Sequence, residues 1–374
     1  MKKALITAML GSALVGGQVN AVEFDGFLTA GFSMHDQKDI TYLDGITEDV
    51  SFDNDSKFGL QISAEIARNM QGVAQVLASG SDENYDLDVE WAYMDYTLNK
   101  TVSIRGGKIK EPVFLISDYF EVGYAYPWIR PPQEVYTNNP INTIVGMAAL
   151  FQGNAGNMSV SFQPYLGSNT DAVPGEEGLT FNAESFMGGS FQLSNSQFTM
   201  QMSYLTTDVS VSGSMVTAVN PTTGAITESA LASQGTAKLT SFGLSWDVRN
   251  FIGYAEYVTR DIEADPITAT NPAPMDALFP DQDAYYVTLG YRSGKFLPHV
   301  TFANSESDPV TGGSPGVNQD SITLGLRYEL NDSAALKFEY QTVEPEVGET
   351  GLFSGGALTD DKANVISVAV DVIF

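Results

Sequence analysis

The 374-residue chain contains no cysteine, so neither a disulfide framework nor a thiolate metal site is open to it. Histidine is almost as scarce. His35 and His299 are the only two, far apart in sequence, which removes any local metal pair and any zinc-protease motif. A serine hydrolase needs a histidine base beside its nucleophile and an orienting acid; with one histidine in a long connection and the other on a strand, the chain reads as non-enzymatic. Basic residues are few as well, Lys+Arg 18 against Asp+Glu 46, for a formal net charge of -28. Nucleic acid, whose binding requires a basic footprint, is disfavoured as a partner. No glycine-rich phosphate loop or dinucleotide fingerprint occurs, and no cofactor is expected. Asp82, Asn84, Asp86, Asp88 and Glu90 alternate like a calcium loop, but Leu87 and Tyr93 stand where its glycine and bidentate glutamate belong. A looser cation site there stays open.

Long hydrophobic runs are also missing. Ala4 to Val15 is too short to span a bilayer, and nothing later approaches the roughly 18 continuous apolar residues of a transmembrane helix. With Lys2 and Lys3 before it and Val19-Asn20-Ala21 after it, this run makes residues 1–21 a secretory signal, leaving 22–374 as the mature domain. Removing the two lysines takes the net charge from -28 to -30.

What the chain has instead is alternation. Sixteen stretches with an apolar residue at every other position run from Val22 to Phe374, joined by connections that are short and long in turn. This pattern predicts an all-β fold, a transmembrane antiparallel up-and-down barrel, with short turns at one end and long loops at the other. The last strand, Asn364 to Phe374, puts Ile366, Val368, Val370, Val372 and Phe374 on one face and Ser367, Ala369 and Asp371 on the other. Lipid-side aromatics recur six residues apart: Phe198 and Tyr204, Phe251 and Tyr257, Tyr285 and Tyr291, Phe296 and Phe302. Each pair covers roughly 15 Å of membrane normal, the inner edges of two aromatic girdles. Two strands are expected over Gln197–Thr206 and Thr236–Val248, with a long loop between them. Pro298, mid-strand and unable to donate to a ladder, predicts a bulge or local break.

The segment 110–142 does not suit an exposed loop. It carries Phe114, Tyr119, Phe120, Tyr124, Tyr126, Trp128 and Tyr136 together with five prolines, too aromatic for disorder and too long for an idle connection. Such a segment must pack on something, and the lumen wall is the surface available.

Sixteen strands, a distinctive third long connection and a terminal Phe374 together resemble the general porins of Gram-negative outer membranes, over essentially all of Val22 to Phe374. The resemblance implies a homotrimer of water-filled barrels in contact with outer-membrane lipids and lipopolysaccharide, with 110–142 folded inward as the constriction. It also implies that Glu111, Asp118, Glu121 and Glu134 on this loop face a basic wall across the path of small hydrophilic solutes and ions. Wall residues that fit are Lys57, Arg105 and Lys108, with Arg68 and Lys337 as further lumen-facing bases. Arg105 and Lys108 differ in parity, so both face inward only if Gly106-Gly107 forms a bulge. The Pro-Glu-Phe-Gly-Gly loop signature of enteric porins is absent.

Three functions remain distinct at this level. One is passive diffusion with a mild preference for cations. Another is a substrate-specific channel, for example for sugars, with Tyr124, Tyr126 and Trp128 as a stacking track. The third is a surface adhesin or structural protein using its acidic loops, in which Asp36, Asp39, Asp44, Glu48, Asp49 and Asp53, and Glu344, Glu346, Glu349, Asp360 and Asp361, cluster. Those carboxylates are either a solvated rim or a lure for cations.

Overall fold

The computed structural model describes residues 22–43, 45–81, 85–172, 179–219, 226–266, 274–308, 317–356, 358 and 360–374. The expected signal segment and the residues Asp44, Asp82 and Asn84 lie outside the described residues. Sixteen strands close into one barrel. In chain order they are β1 (Val22–His35), β2 (Lys57–Ala67), β3 (Met70–Ser79), β4 (Leu87–Asn99), β5 (Val102–Lys110), β6 (Thr143–Ala155), β7 (Met158–Ala172) and β8 (Leu179–Ser194). There follow β9 (Phe198–Val219), β10 (Ile226–Val248), β11 (Phe251–Ala264), β12 (Gln282–Tyr291), β13 (Phe296–Ser307), β14 (Gln319–Asn331), β15 (Ala334–Pro345) and β16 (Ala363–Ile373). Each strand pairs antiparallel with the next, and β16 returns to β1.

An even strand number brings both ends to the short-turn side, where closure is made by backbone bonds. Gly26 N–H donates to the Phe374 carbonyl at 2.8 Å and Phe374 N–H donates back at 3.0 Å. The Phe374 ring lies against Gly26, where any Cβ would collide with it, and stacks on Phe58 at 6.4 Å between centroids. A side chain there would have to displace the terminal ring.

Periodicity two dictates the faces. β12 alternates buried and exposed at every residue, with Tyr285, Val287, Leu289 and Tyr291 outward. Across neighbouring strands the outward aromatics form two rows. Phe251 meets Tyr291 at 5.0 Å and Phe296 meets Tyr328 at 4.8 Å near the short turns, while Tyr285 meets Phe302 at 6.0 Å nearer the long loops.

Two expectations are revised and one is narrowed. β9 and β10 run far past Thr206 and Thr236: one hairpin, registered from Phe198↔Trp246 to Val219↔Ile226, replaces much of the expected loop. Of the two outcomes expected at Pro298 the local break is found and the bulge is not: its register with Leu326 is unbroken, but the ladder to β12 stops at His299, one residue before the missing N–H. His35 ends β1 and is not in a connection; it is buried with its ring edge on Phe353, 6.0 Å away.

Candidate functional site

After Lys110 the chain leaves the wall and enters the lumen. Its only regular pieces are single turns at Ser117–Tyr119, Gly123–Ala125 and Gln133–Tyr136. Val113, Phe114, Leu115, Ile116, Tyr126, Trp128, Val135 and Tyr136 form one buried cluster with lumen-side residues of the wall, among them Leu205, Leu239, Val258, Tyr286 and Ala303. Ordering a loop costs about 1–2 kcal/mol of backbone entropy per residue. Each fully buried aromatic removes about 150–250 Å² from water, worth about 4–6 kcal/mol at 25 cal/mol per Å². The aromatic content of this loop is therefore what keeps it folded against the wall.

Polar bolts fix the loop to opposite sides of the barrel. On one side, Glu256 of β11 accepts from Leu115 N–H at 2.9 Å, from Tyr286 Oη at 2.7 Å and from Tyr136 Oη. Beside it, the Val113 carbonyl accepts from Ser203 Oγ at 2.8 Å and Ser241 Oγ at 2.6 Å. Across the lumen, Lys337 donates to the Gly123 and Trp128 carbonyls at 2.7 and 2.6 Å and pairs with Asp371 at 2.8 Å. Arg327 Nη1 donates to the Tyr124 and Tyr126 carbonyls at 2.6 and 2.9 Å. Glu339 accepts from Ile129 N–H at 2.9 Å, and Arg130 pairs with Asp55 and donates to Ser367 Oγ at 2.6 Å. Buried polar groups of this kind are costly unless matched, and here the wall supplies the partners.

The free edge of the loop runs from Asp118, which is exposed, to Tyr124 and the exposed Ala125. Glu121 reaches Lys57 of β2 at 3.0 Å. Burial works to raise the Glu121 carboxyl, but the ammonium groups of Lys57 and Lys110 outweigh it and hold it below the ordinary carboxylate range. Arg105 pairs with Asp95 of β4 at 3.3 Å, and its guanidinium lies 4.4 Å from the Tyr93 ring centre. Lys110 pairs with Glu90 at 2.5 Å. Glu90, expected only as part of a loose cation site, is instead the partner of Lys110, and Asp95 has no expected role, although the alternation of β4 puts it on the same face as Trp91 and Tyr93.

Four expected constriction residues lie elsewhere. Glu111 is buried and accepts from Asn139 Nδ2; desolvation pushes its carboxyl up to about 8, against that bond and the nearby Lys110. Glu134 is wholly buried, bound by Gln319 Nε2 at 2.8 Å, and burial raises its carboxyl also. Both anchor the loop rather than face the path. Trp128 is 1% exposed, its indole N–H shared between Thr288 and Thr301 at 3.0 Å each. With Tyr126 equally buried, a stacking track keeps only Tyr124, which lies over the Arg327 guanidinium at 4.6 Å. Lys108 faces away from the lumen. The register Ala92↔Lys108 to Asp95↔Arg105 is continuous, so no bulge forms at Gly106-Gly107, and Lys108 donates to the Val89 carbonyl at 2.8 Å on the outer face. Of the further bases, Lys337 is buried under the loop and Arg68 sits in the β2–β3 turn.

Beneath the loop the lumen opens toward the short turns. One open space of about 540 Å³ is lined by Glu23, Glu65, Gln71 and Asp95. Another, of about 510 Å³, is lined by Lys100, Gln152, Asn154 and Gln192. These walls are polar and wet, as an aqueous channel requires.

No curated protein matches the chain. Solved structures do. OmpT of Vibrio cholerae, an outer-membrane protein, superposes with a TM-score of 0.61 at 13% identity, over 96% of this chain and 99% of that one. An anion-selective porin from Comamonas acidovorans gives 0.60 at 10% identity over 95% and 100%. The outer-membrane channel DcaP of Acinetobacter baumannii gives 0.57 at 12% identity over 96% and 99%. At such identities the likeness is one of fold. The sequence model of the Gram-negative porin family matches residues 4–346, nearly the whole length. With a closed sixteen-stranded barrel, two aromatic girdles and a loop folded into a polar lumen, this chain belongs to the Gram-negative porin family, β-barrel channels of the outer membrane.

Proposed function

We propose that this outer-membrane channel lets small hydrophilic solutes and ions diffuse passively, without a catalytic step, and that it mildly prefers cations. The observation that carries the reading is the loop bolted to both sides of the lumen, with its charged edge left free. Around that edge stand the carboxylates Asp118, Glu121, Glu90 and Asp95 against the cations Lys57, Arg105 and Lys110. Acid leads by one, and the short-turn mouth adds Glu23 and Glu65. The mature net charge of -30, from -28 less two lysines, holds a negative potential at the outer mouth. Exposed charges act only within about 8 Å at physiological salt, so the groups at the narrow zone decide selection.

The protein is proposed to work as a homotrimer, set among outer-membrane lipids and lipopolysaccharide. One OmpT structure of Vibrio cholerae is described as a trimer form. The outward faces of β1 to β3 carry the small residues Ala30, Ala64, Ala74 and Ala78, which let walls approach closely, while Gly26, also expected there, is covered by the Phe374 ring.

Selectivity is tested by the reversal potential of the purified protein in a planar bilayer under a salt gradient. The native channel should show a cation-selective potential that shrinks as salt rises. Asp118→Asn with Glu121→Gln should move it toward anions. A strongly anion-selective native channel would overturn the reading.

A further inference from the structure

On the lipid side of the wall, close to the short turns, β11 to β13 leave an open groove of about 470 Å³. Trp246, Phe251, Leu289, Tyr291, Pro298 and Val300 line it, and all six lie on the outward face. Two local features hollow it out. Pro298 puts a compact ring where β13 otherwise carries Phe296 and Phe302, and the Trp246 ring is seated over Gly253, where any Cβ would collide with it. Apolar recesses of a few hundred Å³ with a few placed polar groups are the usual form of a small-molecule site. On this face of a barrel the groove meets acyl chains, not water.

The rim of the groove at the short-turn end is basic. Arg249 stands two residues before Phe251 and Lys295 three before Pro298, about 7 and 10 Å along the chain at about 3.3 Å per residue. Lys295 donates to the Leu330 carbonyl at 3.0 Å and lies 5.9 Å from the Tyr328 ring centre, both neutral partners. Among the described residues neither Arg249 nor Lys295 has a carboxylate within ion-pair distance. The nearby acids are taken: Asp247 pairs with Arg292 at 2.6 Å and Glu329 with Arg327 at 2.8 Å, while Asp332 belongs to the next turn round. On the outward faces of β11 to β13 the carboxylates Asp261, Glu263, Asp283 and Glu306 all stand at the opposite, long-loop end. Outward charge is therefore segregated, with the free cations at the groove. Short turns face the periplasm, so this rim lies at the headgroups of the inner leaflet. Two uncompensated cations above an apolar groove are complementary to a phosphate carrying an acyl chain. A zwitterionic headgroup brings its own ammonium and matches them less well.

We propose that this groove binds one anionic glycerophospholipid of the periplasmic leaflet, its phosphate on Arg249 and Lys295 and an acyl chain against Trp246, Leu289 and Val300. β11 to β13 are not among the faces proposed to meet in the trimer, so the groove stays open to lipid. The site rests on the outer-membrane location of the barrel and not on passive diffusion through it.

Trp246 is a built-in reporter, because the other two tryptophans, Trp91 and Trp128, are buried on the lumen side. The whole protein is reconstituted into phosphatidylcholine vesicles in which a rising fraction of the lipid is dibrominated phosphatidylglycerol or, as the control, dibrominated phosphatidylcholine, and quenching of tryptophan fluorescence by the brominated chains is read. The anionic lipid should reach half of its full quenching at a fraction at least fivefold lower than the control. Arg249→Gln with Lys295→Gln should erase that difference. Val300→Phe, which narrows the groove and keeps both cations, should reduce it at least twofold and serves if the double variant does not fold. Equal quenching by the two lipids at every fraction, the mark of annular contact only, overturns the proposal, as does a preference that either variant keeps in full. A protein that conducts without the preference sinks this inference alone; one that shows the preference without conducting sinks the channel reading alone.

Discussion

Glu111 shows how far a residue's role follows from its surroundings rather than its type. In sequence it is one more loop acid beside Lys110; in the fold it is buried against Asn139, and desolvation pushes its carboxyl from 4.5 up to about 8. A carboxyl raised in the folded state keeps its proton there while the unfolded chain has lost it. Folding is thus least burdened below about pH 4.5 and loses stability as pH rises from there through about 8. Glu111→Gln cannot ionise and escapes that loss. The thermal midpoint of the native protein should fall relative to Glu111→Gln as pH is raised across this window; a constant difference would contradict the assignment. Lys57, Glu121 and Arg105 were legible as lumen residues because strand parity and loop membership suffice to place them. Glu111, Glu134 and Trp128 were misplaced because nothing in a local pattern says which side of a folded-in loop faces the wall. Lys108 was misplaced by invoking a bulge that the continuous register of β5 does not contain.

At the scale of elements, most of the strands can be read from alternation because lipid on one side and water on the other force it. The hairpin of β9 and β10 escaped where it rises past Asp208 and Thr236. Its outward positions there begin Asp208, Ser210 and Ser212, with no outward apolar residue among them, so a strand looks like a loop. The inward face of β11 held a signal that was passed over. Ile252, Tyr254, Val258 and Ile262 are too apolar for a wet lumen, which marks the wall sector that receives the loop, and Glu256 sits in their midst as its latch. Removing the latch by Glu256→Ala leaves the Leu115 amide and the Tyr136 and Tyr286 hydroxyls without their acceptor, at a cost of about 2–4 kcal/mol. Chemical denaturation should show a loss of that size, with Glu256→Gln losing about half as much since an amide oxygen still accepts. Equal stability of the alanine variant and the native protein would mean the latch is not formed.

For the whole molecule, fold and localisation follow from one constraint: in lipid every backbone group must find a partner, and a sheet does this by closing on itself. β16 returns to β1 and leaves no edge. The alanines interspersed on the outer faces of β1 to β3 then have a use if copies meet there. In mild detergent the protein should run at the mass of three chains and fall to one on heating; a monomeric mass at every concentration would speak against the trimer.

The central claim is that the segment 111–142, held between Glu256 on one side and Lys337, Arg327 and Arg130 on the other, sets the narrowest part of the pore. Single-channel conductance in a planar bilayer, compared between the native protein and a variant lacking Tyr119 to Trp128, tests this most directly. The account predicts a higher conductance and weaker ion selectivity for the variant. Unchanged conductance in a variant that still folds into the barrel would contradict it.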